Sequence, residues 1–328
     1  MPHRPRPYPS DLSDARWALL EPTLTAWRAE RRGKGLDIGL PPEHYLRRIM
    51  DAILYVDRTG IPWRYLPHDF APWETVYGYF AAWQKHGVFD QLNGLLRRLV
   101  RKAEGRDPEP TACILDAQSV KTSANVPAAG QGIDAGKKIA GRKRHIGVDT
   151  AGLLLAVLVT AASVSDNIGG IHLLSNIADS HPRVAKAWAD SGYRTKVIDH
   201  GATLGIDVEV TRRDPTQKGF KVIPRRWIVE RTFGWLMHHR RLARDYETHP
   251  HRSEAMIRIA MIDLMSRRLT REAHAELARH IAPPGRASAV RRQPPSKPRK
   301  VPDTSAASAK SAKSILAMLR LADTSGNH

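Results

Sequence analysis

TACILDAQSV, residues 111–120, decides how the second half of this chain folds. It follows the acidic, proline-bearing linker EGRDPEP, and its short apolar run reads as a strand. By period-two alternation Asp116 shares a face with Ile114, at or near the strand's end. RHIGVDTAG, LLLAVLVTAAS, VAKAWADSGY and DVEVTRR read as four further strands, with a helical segment near IGGIHLLSNIAD between the third and fourth. Three consecutive strands followed by strand–helix alternation predict an α/β fold: a mixed sheet flanked by helices. Pro224 opens a long helix expected to run through Leu242, and another is expected from about Ser253 to Ala278.

Upstream the period is helical. In SDLSDARWALLEPTL, Ser13 or Asp11 can cap, and Trp17, Leu20 and Leu24 recur on one face. After the polar loop RAERRGKGLDIGLPP, helices are expected over Pro42–Arg58, Trp73–His86 and Phe89–Ala103. The expected organisation is therefore a disordered start (1–9), an all-helical region (10–104), an α/β region (111–279) and a disordered, basic, low-complexity tail (280–328).

Fifty-two Lys and Arg against 33 Asp and Glu give a net charge of +19, which favours a polyanionic partner such as nucleic acid. The single cysteine, Cys113, excludes a disulfide scaffold or a Cys-rich zinc site. No apolar run approaches the length that spans a bilayer. MPHRPRPYPS lacks an apolar signal region, so a cytoplasmic protein without membrane attachment is expected.

Three carboxylates sit inside apolar or aromatic strips: Asp116, Asp190 in AKAWADSGYRT, and Glu230 in RRWIVERTFGWL. Buried carboxylates repel one another unless they share a proton or hold a cation, and a hard divalent metal is the usual solution. Asp190 precedes Gly192, where the chain must turn, and strand ends are where open α/β sheets place ligands. Glu230 follows Arg226 by four residues, on one helical face. The bland alternatives are loop-capping aspartates and an exposed Glu–Arg pair. Asp149 reads as the start of a β-turn, and Asp166 as fixing a loop. The basic run GKKIAGRKRH (Lys137, Lys138, Arg142, Lys143, Arg144), in a flexible surround, is expected to move onto DNA phosphates, or else to be a solvated face. Trp227 and Trp188, near Glu230 and Asp190, are candidates for stacking on a displaced base or for core packing.

Taken in order, LSDARWALLEP, AILYVDRTGIPWRYLPHDFAPWETVYGYFAAW, LDAQSVKTS, DAGKKIAGRKRHIGVDTAGLLLAV, WADSGY and PRRWIVERTFGWLMHHRRLARDYE resemble blocks of the bacterial insertion-sequence DDE transposases, the insertion-sequence-five family, over about residues 10–270. The resemblance implies a ribonuclease-H-like core with Asp116, Asp190 and Glu230 as catalytic and metal-binding residues. It also implies an N-terminal helical region that helps bind DNA. The expected cofactor is a pair of Mg²⁺ ions, with Mn²⁺ able to substitute, and no small-molecule cofactor. The partners implied are inverted-repeat ends and target DNA, on a homodimer or larger assembly in the bacterial nucleoid. Lys121, Arg226, Arg231, Arg240 and Arg241 join the basic run as candidate DNA contacts. The chain departs from the Tyr-Arg-Glu-Lys signature of related transposases: Arg226 fills the Arg place, but Ile223 and Met237 hold the Tyr and Lys places. The competing readings are a DNA-binding protein that has lost catalysis and a nuclease on the same core.

Overall fold

The computed structural model describes residues 8–31, 44–211 and 225–272; the expected basic tail, Pro42 and Pro224 lie outside them. Four helices come first: α1 (Asp14–Ala29), α2 (Leu46–Thr59), α3 (Trp73–Lys85) and α4 (Val88–Ala103). Ser13 caps α1 by accepting the Arg16 N–H. α2 is buried around most of its circumference, Ile49, Ile53 and Val56 included, and α4 buries Leu92, Leu96 and Val100. Trp63, Phe80, Trp83 and Phe89 pack edge-on or tilted in the same core.

The sheet follows: β1 (Ala112–Lys121), β2 (Gly132–Asp134), β3 (Ile139–Asp149), β4 (Leu154–Ala161), then α5 (Asp166–Ser180), β5 (Lys186–Ala189), α6 (Thr195–Thr203) and β6 (Asp207–Val210). β1 lies between antiparallel β3 and parallel β5; β6 continues the parallel edge, while β4 and short β2 share the far side of β3. This is the mixed sheet of a ribonuclease-H-like core, with helices packed against it. β3 and β4 are joined at Asp149, whose carboxylate accepts the N–H groups of Ala151 and Leu153. Gly152 completes that turn at φ +82°, where a side chain would be strained.

The change from helices to strands is not a break in packing. The described residues form one compact unit, and one apolar core runs from α1–α4 through one face of the sheet to two further helices. Those are α7 (Arg226–Leu236) and α8 (Pro250–Thr270), and almost every residue of α8 from Ala255 to Arg267 is buried.

Several expectations are corrected. The helix carrying Glu230 stops at Leu236 rather than Leu242, because the chain turns so that His239 Nδ1 reaches Asp57 at 2.6 Å and Arg241 reaches the Ile61 carbonyl. α8 ends at Thr270, where Arg271 takes a left-handed conformation. β1 continues five residues past Asp116, pairing with β3 as far as Lys121. β2 and α6 were not anticipated. The basic run is not a loop before the strand: β3 starts at Ile139 and contains Arg142, Lys143 and Arg144.

Candidate active site

Parallel pairing fixes the first relationship. Ile114 of β1 is level with Trp188 of β5, and Asp116 and Asp190 each stand two residues beyond that pair. β5 ends at Ala189 whereas β1 continues, so Asp190 enters the loop beside β1 at the carboxyl edge of the parallel strands. Asp190 Oδ1 accepts the Gly192 N–H at 2.8 Å, an Asx-type turn that holds the carboxylate. Asp116 Oδ1 accepts the Ala117 N–H at 2.7 Å. Burial, then the negative charge of Asp190, pushes the Asp116 carboxyl up to about 7.

α7 brings the third carboxylate. Arg226 Nη2 lies 3.6 Å from Asp190 Oδ2 and 3.8 Å from Glu230 Oε1, so one guanidinium is shared by the strand end and the helix. Burial raises the Glu230 pKa and Arg226 opposes the shift. Among the described residues no three His, Cys, Asp or Glu side chains converge closely enough to ligate one ion. Asp116 and Asp190 act as a close pair, and Arg226 stands between Asp190 and Glu230. The mutually repelling oxygens of that pair fit a hard divalent cation.

The other candidates divide by environment. Arg142 is fully buried, donating to the Gly130, Glu247 and Thr248 carbonyls and pairing with Asp245 at 3.3 Å. Lys143 is buried against Asp166 at 3.1 Å, and Arg144 donates to the Leu242 carbonyl. Arg241 is buried against Glu247 at 2.8 Å. All four face inward, so the expectation that Arg142, Lys143 and Arg144 ride a mobile DNA-facing loop is corrected. Arg231 lies between the Trp227 and Trp235 rings and donates to the Ala151 carbonyl. Lys121, Lys137, Lys138 and Arg240 are exposed. Lys137 Nζ also donates to the Ala117 carbonyl at 3.0 Å, beside Asp116.

The two tryptophans are covered by cations. Trp188 is buried, donates to Glu209 at 3.1 Å and carries the Arg225 guanidinium 3.9 Å above its ring; Trp227 carries Arg231 at 4.5 Å. On each ring an arginine thus takes a face on which a base could otherwise stack. Asp149 is the buried turn residue expected, and Arg101 pairs with it at 2.7 Å.

Comparison with known proteins agrees with the fold. A family model described as "Putative transposase of IS4/5 family" matches residues 12–93, and one described as "Transposase DDE domain" matches residues 107–264. Over 117 residues the chain is 35% identical to a Burkholderia cepacia protein named "Putative transposase for insertion sequence element IS402", an overlap that covers 33% of this chain and 54% of that relative. The chain thus spans about half the length of the curated relative it matches. DDE transposase domains generally use divalent metal ions. Among the described residues no helix is long and apolar enough to cross a membrane.

Proposed function

The chain belongs to the insertion-sequence DDE transposases, and we propose on that footing that it binds the ends of an insertion sequence, cleaves DNA there and joins the freed ends to target DNA. The observation that carries the reading is the level placement of Asp116 and Asp190 at the carboxyl edge of the sheet, with α7 bringing Glu230 to the same Arg226 guanidinium that meets Asp190. Asp116, Asp190 and Glu230 would hold two Mg²⁺ ions. Bound there, the ions would activate water or a 3′-hydroxyl and stabilise the leaving oxygen.

The chain's own groups have separable tasks. Asp116 supplies oxygens from β1 and Asp190 from the first residue after β5, so the pairing of the two strands and the Gly192 turn together set their spacing. Arg226 occupies the gap between Asp190 and Glu230 and is placed to meet a phosphate once those carboxylates are engaged. Exposed Lys121, Lys137, Lys138 and Arg240 would bind backbone phosphates without reading sequence. The partners proposed are inverted-repeat ends and target DNA, held by at least two copies of the chain.

Strand joining tests the reading. Pre-cut ends carrying the flanking inverted repeats are incubated with plasmid and Mg²⁺. Covalently joined products are expected, and Asp190→Asn should bind the ends yet join nothing. Cutting without regard to the repeats, and without joining, would make the protein a nuclease instead.

A further inference from the structure

Asp166, which local sequence assigns to a loop, stands beside the catalytic pair. It opens α5 directly after the Ser165 cap. Its Oδ2 comes within 2.9 Å of the point where a side-chain carbon on Gly192 would lie, and Asp190 Oδ1 comes within 3.0 Å of the same point. Gly192 therefore leaves the space in which two carboxylates face one another, an unfavourable arrangement unless a cation balances it. Lys143 supplies part of that charge, 3.1 Å from Asp166 Oδ1 and donating as well to the Val164 carbonyl.

A second observation points to a ligand. Tyr193 is 1% exposed, and its hydroxyl has no hydrogen-bond partner among the described residues. Buried hydroxyls are ordinarily satisfied by protein or by bound species. This one lies within the fields of Asp116, Asp166 and Asp190. Its ring is wedged against Gly170, where a side-chain carbon would meet it at 2.7 Å, so it cannot swing away through α5.

We propose that Asp166 is a fourth carboxylate of the cation site, acting with Asp190 across Gly192, and that the Lys143 ammonium neutralises it when no divalent ion is bound. The proposal rests on the reading of Asp116 and Asp190 as the metal-binding pair. The hydroxyl of Tyr193 is then placed to hydrogen-bond an oxygen of the ion's hydration shell. Mg²⁺ retains several waters, so a site built from few carboxylates has room for such a contact.

Titration of the full chain with Mn²⁺, read by the electron paramagnetic resonance of the free ion, tests this without catalysis. Asp166→Asn is expected to weaken binding about tenfold or more. Lys143→Met is expected to tighten it severalfold, because the competing ammonium is gone. Asp116→Asn is the reference that loses binding. Retained affinity in Asp166→Asn, with loss in Asp116→Asn, overturns the fourth carboxylate alone. Unchanged affinity in both variants overturns the pair itself as the metal site. Weaker binding in Lys143→Met would make Asp166–Lys143 a tie between β3 and α5 and also overturn the proposal. Should Asp166→Asn fail to fold, Gly192→Ala reads the same space: weakened binding is expected, and unchanged affinity overturns the inference.

Discussion

Arg226 Nη2 lies 3.6 Å from Asp190 Oδ2, so the helix bearing Glu230 is tied to the end of β5 by a cation of the protein's own. The guanidinium offsets the repulsion between carboxylates that come from distant parts of the chain. A divalent ion binding at Asp190 must compete with it.

Arg226→Gln is therefore expected to raise Mn²⁺ affinity severalfold while lowering the thermal stability of the metal-free protein. Isothermal titration and a melting curve in chelator read the two effects. Weaker metal binding in the variant would mean that Arg226 orients the carboxylates and does not compete for them.

The Asp116 carboxyl, pushed up to about 7 by burial and by Asp190, makes stability depend on pH in a defined direction. A raised carboxyl pKa favours folding while the group holds its proton. That contribution is complete below the ordinary carboxylate range and is lost as pH rises through about 7. In chelator, Asp116→Asn should melt higher than the parent at about pH 8, by roughly 2–4 °C, and no higher at about pH 4. Added Mg²⁺ should abolish or reverse the gain. Equal melting of variant and parent across that range in chelator would contradict this electrostatic picture.

Arg142 has a structural task. It is fully buried, pairs with Asp245 and satisfies three backbone carbonyls. Arg142→Met leaves Asp245 buried and deprived of this cation, a loss expected to cost about 3–5 kcal/mol in urea unfolding. A loss of less than about 1 kcal/mol would show that Ser253, which also bonds Asp245, suffices.

Lys137 and Lys138 are exposed next to the site and should behave in the opposite way. Replacing both by Ala is expected to leave the melting temperature unchanged. The slope of log affinity for DNA against log salt should fall by about one for each phosphate contact removed. An unchanged slope would remove both residues from the DNA surface.

These contrasts show what local sequence could reveal. Asp116 was legible because strand alternation makes one carboxylate conspicuous, and Asp190 because Gly192 marks the turn after a strand. Arg226 and Glu230 followed from helical spacing. Arg142, Lys143 and Arg144 were misread because three consecutive cations look solvated when their partners are unseen. The groups that satisfy Arg142, the Asp245 carboxylate and the Glu247 carbonyl, lie about a hundred residues downstream. Asp166 was hidden for a similar reason: its loop is explicable by the Ser165 cap alone, and only the crossover through α5 to β5 brings it to Gly192. The end of α7 at Leu236 depends on Asp57, in a helix far upstream, and nothing near residue 236 announces it.

The most direct test of the account is cleavage of DNA carrying the inverted repeats that flank the protein's own gene, with Mg²⁺, beside the Asp190→Asn variant. The account predicts metal-dependent nicking at the repeat boundary by the parent and none by the variant, with repeat binding equal in both. Nicking that persists in Asp190→Asn would contradict the site, and repeat binding with no cleavage by the parent would contradict the activity.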